Sequence, residues 1–213
     1  MSERESRKFD PRRAAGLDAP ERDLYLPSGQ LIGLLELDGG ETLLDYGAGT
    51  GRLTLAAAAA LPRGRVIAIE ESPEMLGHLR ERTADMPNVE TMLIAGNHVP
   101  LADGFAQRIL AVNLLHEVRG ENALTEMHRL LAADGLLVLV DWERGRPRPV
   151  GPPADELLYT AEEALAELHR AGFDCVEVPA GLPYHFAIRA ERARPPAAEP
   201  GGPDKPVSRE VTR

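Results

Sequence analysis

The chain has 213 residues, 43% of them hydrophobic, with a formal net charge of -10 and one cysteine, Cys175. That is enough apolar material for one domain with a sizeable core, while the acidic balance argues against a nucleic-acid partner, whose phosphates demand clustered Lys and Arg, and favours a small or neutral substrate. A lone cysteine excludes an internal disulfide and a cysteine-based metal cluster, so a reducing, cytoplasmic setting with no metal is expected; no apolar run approaches the roughly 18 residues of a membrane span, and the N-terminus lacks a signal-like apolar segment.

Residues 1–20 are charged, contain Pro11 and Pro20 and have little apolar periodicity, which predicts a flexible arm that orders when something binds. From Pro27 to Leu37, Leu31, Leu34 and Leu35 recur at helical spacing, opened by Pro27 or Ser28 and closed by Gly39 and Gly40. Thr42–Tyr46 reads as a strand that breaks into Gly47, Gly49 and Gly51 and restarts as an alanine-rich helix from about Gly51 to Leu61. Such a turn lets a ligand lie against the backbone, and the helix start offers free N–H groups and partial positive charge. Arg65–Ile69 is a second strand, and it delivers Glu70 about 20 residues past the glycines, the separation at which a doubly wound fold brings a carboxylate to ribose hydroxyls. Ser72 as N-cap and Pro73 at the first helical position start a helix through about Ala84, with Met75, Leu76 and Leu79 facing inward.

Asn88–Ala95 is the third strand, followed by Gly96, Asn97, His98 and a polar loop to Gly104 where a ligand's base is expected. Arg108–Leu115 is a nearly continuous apolar run of the kind buried on both faces of a parallel sheet, with Asn113, His116 and Glu117 near the point where strand order reverses. A helix over Glu121–Leu131 and a fifth strand over Gly135–Asp141 follow, the strand ending in an acid before Trp142. Arg144–Pro153 is a Pro/Gly-rich connection, either a lid or a linker. Thr160 and Glu163 form a capping box for a helix to Ala171, and Phe173–Val178 and Tyr184–Arg189 are closing strands. From Arg194 the composition predicts a disordered Pro-rich tail. The organisation is therefore an arm over 1–20, a domain over 21–192 and a tail over 193–213, with alternating strands and helices making an open parallel α/β sheet.

A nicotinamide-dinucleotide turn needs G-x-G-x-x-G, and its third glycine is here Arg52. Instead DYGAGTG, IEESPEML, GNHVPLADG and LAVNLLHEV, over about Pro27–Arg189, resemble the class I S-adenosylmethionine-dependent methyltransferases, in particular the small-molecule group containing ubiquinone- and arsenite-type enzymes. The resemblance implies a Rossmann-like, doubly wound, mostly parallel seven-stranded sheet with helices on both faces and the last strand antiparallel, with S-adenosyl-L-methionine as cofactor. It implies that Asp45, Gly47, Ala48 and Gly49, in the loop closed by Gly51, cradle the methionine part, Asp45 reaching its ammonium. Glu70 would take the ribose hydroxyls, Ser72 or Met75 would flank the adenine, Asn97 and the His98 backbone would read its amino edge, and Asn113 would lie near the methyl.

Two positions depart from the family pattern: Asn97 stands where Asp is common, and Ala106-Gln107 replaces a Phe-Asp pair, which is expected to loosen packing where the fourth strand begins. No Asn-Pro-Pro-Tyr type sequence follows the fourth strand, which favours a small-molecule methyl acceptor. His116 is the candidate general base, since its unperturbed pKa lies near neutrality; the competing reading has it capping the strand end or packing in the core. Asp141 and Trp142 line the acceptor pocket or simply end a strand, and Tyr184 and His185 read as sheet residues. Two other functions remain open at this point: a non-catalytic module holding S-adenosylmethionine or S-adenosylhomocysteine, and an NAD(P)-dependent oxidoreductase.

Overall fold

Five parallel strands, β1 (Thr42–Tyr46), β2 (Arg65–Glu70), β3 (Val89–Leu93), β4 (Ala106–Val112) and β5 (Leu131–Trp142), are joined at one side by β6 (Phe173–Glu177) and β7 (His185–Arg192). The computed structural model describes residues 9–96, 98–118, 122–151 and 155–193, and its sheet runs β3-β2-β1-β4-β5-β7-β6, with β7 antiparallel to both β5 and β6. The helices are α1 (Ser28–Gly33), α2 (Arg52–Ala60), α3 (Pro73–Thr83), α4 (Ala123–Leu130) and α5 (Ala161–Arg170). This is the doubly wound, seven-stranded, mostly parallel sheet that the resemblance implies.

Side chains on a strand alternate between faces, and β1 uses both. Leu43 packs with Leu31, Leu35 and Ala57, so α1 and α2 cover one face. Leu44 packs with Met127, Leu130 and Leu168, so α4 and α5 cover the other. Helix starts are set as the sequence implies: Ser72 accepts the Met75 N–H, and Thr160 with Glu163 closes a reciprocal capping box on α5.

Several boundaries differ from the expectations. The strand expected over Arg108–Leu115 ends at Val112, because Asn113 takes a left-handed φ of 56° that breaks the ladder. The fifth strand begins at Leu131 rather than Gly135, through an irregular register between Ala106 and Arg108. The departure at Ala106-Gln107 does not loosen the start of β4: Ala106 is fully buried, and Gln107 Oε1 accepts the Thr42 N–H at 2.7 Å, tying β4 to β1. The arm also proves structured from residue 9 onward, with 3-10 turns at Pro11–Leu17 and Pro20–Leu24; Asp10 caps the first by accepting the Arg12 N–H. Residues 1–8 and the tail from Arg194 lie outside the described residues, as does Glu121, the expected first residue of α4.

Gly51 makes the turn into α2 at φ 88°, and a Cβ there would meet Leu79 Cδ1 at 2.5 Å. We therefore expect Gly51→Ala to lower unfolding stability by about 1–3 kcal/mol, left-handed strain added to overpacking. In contrast Gly77→Ala, inside α3 with no atom within 4 Å of the added carbon, should be neutral or stabilising by up to about 1 kcal/mol. Urea unfolding of the two variants checks the pair.

Candidate functional site

The carboxyl ends of β1, β2, β4 and β5 open into one cavity of about 1410 Å³, roofed by the N-terminal 3-10 turns and by residues 149–151. A single small-molecule pocket usually holds about 300–1,000 Å³, so this one has room for two ligands side by side. Its wall includes Asp45, Gly47, Ala48, Gly49, Glu70, Ser72, Met75, Asn113 and His116, nine of the twelve positions the sequence singles out.

The glycine turn folds over the end of β2. Gly47 and Ala48 donate their N–H groups to the Ile69 carbonyl at 3.0 and 2.9 Å, and Gly49 donates to Glu70 Oε2 at 2.8 Å. Glu70 Oε1 accepts from Glu71 and Ser72 N–H at 2.9 and 2.8 Å. A carboxylate has about four lone-pair sites, so three are engaged by the protein and capacity remains on one oxygen. Gly51, the N-cap of α2, offers no side-chain cap, which leaves first-turn N–H groups of that helix free for an acceptor atom of a ligand.

Asp45, at the end of β1, is 3% exposed and accepts one hydrogen bond, from Thr54 Oγ1 at 2.6 Å. Burial lifts its pKa to about 6, with a smaller push from Glu70, against the lowering by Thr54. A buried carboxylate so poorly compensated favours a cation beside it. Asn113 adds a second incomplete group: its Oδ1 is buried without a hydrogen-bond partner.

On the other side of the cavity, His116 Nδ1 lies 2.7 Å from Asp141 Oδ1, and the His116 and Trp142 N–H groups donate to the same carboxylate at 3.0 and 2.7 Å. Both side chains are buried. Burial disfavours the imidazolium, but the charge and hydrogen bond of Asp141 outweigh it and hold the His116 pKa above its ordinary value. Asp141 thereby fixes the ring and leaves Nε2 as its other nitrogen, 4.0 Å from Glu117. His116 is thus a buried residue of the cavity wall, tied to the end of β5 through Asp141. His185, by contrast, is the sheet residue expected: it pairs with Trp142 in register, its ring 4.0 Å from the indole, and burial drives its pKa down to about 3.

The remaining predicted residues lie elsewhere. Gly51 sits behind the cavity wall, against Leu79. His98 is not brought to the cavity: its side chain is 79% exposed and turns to Glu126 at 3.4 Å. Its loop is pulled toward α4, since Glu126 accepts the Val99 N–H and Arg129 donates to the Val99 and Leu101 carbonyls. Asn97 lies outside the described residues. Sequence reasoning missed Thr54, Arg22 and Tyr25. A threonine inside an alanine-rich helix, nine residues after a strand-end Asp, is a usable signal for the first; the other two stand in an aperiodic segment that gives none.

Comparison with known proteins places this geometry. A family profile described as a methyltransferase domain matches residues 43–135. An arsenite methyltransferase of Halobacterium salinarum is 32% identical over 170 residues, 73% of this chain and 43% of that protein. A malonyl-acyl-carrier-protein O-methyltransferase of Geobacter sulfurreducens is 26% identical over 70% of this chain and 62% of its own length. The crystal structure of a SAM dependent methyltransferase from Aquifex aeolicus superposes with a TM-score of 0.79 at 28% identity, covering 86% of this chain and 98% of that one. The curated relatives are mostly longer proteins, of which the chain spans between 34% and 62%.

Asp45 makes stability depend on pH. Its folded pKa of about 6 exceeds the ordinary 3.8, so the folded state binds the proton more tightly. Stability is then greatest with Asp45 protonated and falls as pH rises from about 4 to about 6, by about 3 kcal/mol for two units, levelling above that. Denaturant unfolding of the protein and of Asp45→Asn across this range should show the difference between them changing by that amount, with no change above about pH 7.

Proposed function

As the chain belongs to the class I S-adenosylmethionine-dependent methyltransferases, we propose that it transfers a methyl group from S-adenosylmethionine to a small-molecule acceptor. The observation that carries this reading is the pairing, within one cavity, of a poorly compensated buried carboxylate, Asp45, with a carboxylate-held histidine, His116. The residues fit the cofactor: Asp45 suits an ammonium, Asn113 Oδ1 awaits a donor, the free N–H groups of α2 suit a carboxylate, and Glu70 retains capacity for a hydroxyl. Bound there, S-adenosylmethionine supplies a methyl activated by a sulfonium. The chain's own task is to hold acceptor and donor in line, a contribution worth about 7–11 kcal/mol, and to take a proton from a protic acceptor at His116 Nε2, worth about 10²–10⁴ in rate. Asp141 acts as the positioning residue that keeps the ring in the tautomer with Nε2 free.

A hydroxyl or amine acceptor suits this arrangement. Arsenite, the substrate in one relative's name, is a soft centre that calls for thiolates; the one cysteine here, Cys175, is half-buried on β6 outside the cavity wall. That free thiol supports a reducing, cytoplasmic setting, and among the described residues no helix is long and apolar enough to cross a membrane. The net charge of -10 supports an acceptor other than nucleic acid.

Titration calorimetry with S-adenosylhomocysteine should show one site, with affinity falling below about pH 6 as Asp45 is protonated and this dependence absent from Asp45→Asn. Absence of binding at millimolar ligand overturns the assignment, and isotope-labelled transfer to a panel of hydroxyl and amine metabolites separates an enzyme from a binding module. Independently, NMR titration of the His116 ring should give a pKa above that of free histidine, returning toward or below it in Asp141→Asn. An unchanged titration would deny Asp141 its positioning role.

A further inference from the structure

Among the described residues, no carboxylate forms an ion pair with Arg22. Arg22 stands on the 3-10 turn Pro20–Leu24, is half-buried and forms part of the cavity wall. Other arginines are paired: Arg52 with Asp23, Arg82 with Asp18, Arg146 with Glu143 and Arg148 with Asp155. Among the described residues no carboxylate oxygen lies within 4.0 Å of the Arg22 guanidinium, and Asp18, the acid whose charge reaches it, is committed to Thr50 and Arg82. Burial pulls its pKa down, and the Tyr25 hydroxyl and the charge of Asp18 offset this only in part. Leaving a guanidinium half-dry with no carboxylate against it costs free energy that a bound anion recovers.

The surroundings say which part of the cavity that anion would occupy. Tyr25, three residues on, stacks on His185 with ring centroids 6.2 Å apart and lies 6.0 Å from the Trp142 ring, beyond the ends of β5 and β7. The charge of Arg22 reaches His185, which burial keeps neutral and therefore unable to compete for an anion. Glu70 and Met75, which mark the other end of the cavity, stand on β2 and α3. Tyr25, Trp142 and Leu157 give this side a largely apolar wall with aromatic faces, and an arginine fork matches a carboxylate bidentately.

Resting on the methyltransferase reading, we propose that the acceptor is a flat, aromatic carboxylate whose carboxylate is anchored by Arg22 and whose ring packs against Tyr25 and Trp142. Arg22 is then the specificity-determining residue for the acceptor, distinct from the groups that hold the cofactor.

Trp142 is the chain's only tryptophan, so it reports directly on this wall. The full chain, saturated with S-adenosylhomocysteine, is titrated with benzoate and with its neutral isostere benzamide while indole fluorescence is recorded. Benzoate should bind about tenfold tighter or more, the scale of one charge-assisted pair. In Arg22→Met the preference should vanish, and in Arg22→Lys, which keeps charge but loses the fork, it should persist in reduced form. Equal affinities of the two probes in the unaltered protein, or no response to either, overturns the proposal. A roughly tenfold loss of S-adenosylhomocysteine affinity in Arg22→Met also overturns it, since Arg22 would then hold the carboxylate of the cofactor itself. Failure of the unaltered protein to bind S-adenosylhomocysteine is a separate result that removes the methyltransferase reading and this inference with it.

Discussion

The hydrogen bonds that converge on Glu70 set the form of the whole carboxyl edge. Gly49 donates to one oxygen, Glu71 and Ser72 to the other, so one side chain joins the loop after β1 to the turn before α3. With the Gly47 and Ala48 N–H groups already on Ile69, the glycine turn has no freedom to lift from β2, and α2 must leave it with its uncapped start facing the cavity. Charge-assisted bonds of this kind are among the stronger ones. Glu70 is therefore a structural tie as well as a ligand candidate, and loss of its carboxylate acts on the loop before it acts on any ribose.

Two other strand-end carboxylates show how environment separates roles. Asp45 near the end of β1 and Asp141 near the end of β5, two strands separated by β4, are both buried acids, yet among the described residues Asp45 receives one hydroxyl donor while Asp141 receives two backbone N–H groups and a ring nitrogen. The first is left short of positive partners and suits a cationic ligand. The second is satisfied by the protein, and its charge is used to orient and raise the pKa of His116. The two sides of the cavity are thus distinguished by donor count, not by residue type.

What the sequence makes legible is local. The glycine turn, Glu70 at the end of an apolar run, the Ser72 cap and the Thr160–Glu163 box are all written within a few residues, and the period-2 and helical patterns give the sheet order once doubly wound chirality is assumed. The His116–Asp141 pair is not local: its members stand 25 positions apart and meet only because β4 and β5 pair in parallel and Asn113 turns the chain at a left-handed φ. A continuous apolar pattern through Leu115 hides that turn, since Leu115 is buried and Leu114 partly buried after the strand has ended. The arm misleads for the opposite reason. Its 3-10 turns have neither helical periodicity nor a long apolar face, and what holds them is side-chain pairing to Thr50, Arg52 and Arg82 far along the chain.

That division bears on what similarity transfers. The matched family profile covers residues 43–135, which includes Asp45, the glycine turn, Glu70, Asn113 and His116. It leaves out Arg22 and Tyr25 on one side and Asp141, Trp142 and Leu157 on the other, all of which stand at the cavity or directly behind it. The shared part is built from the ends of parallel strands, where backbone geometry fixes the ligand-facing groups. Of the remainder, Asp141 and Trp142 close β5, while Arg22, Tyr25 and Leu157 come from aperiodic turns, where substitutions leave the sheet intact. The profile therefore bears on the ends of β1, β2 and β4, while the wall formed by Arg22, Tyr25, Trp142 and Leu157 lies beyond it.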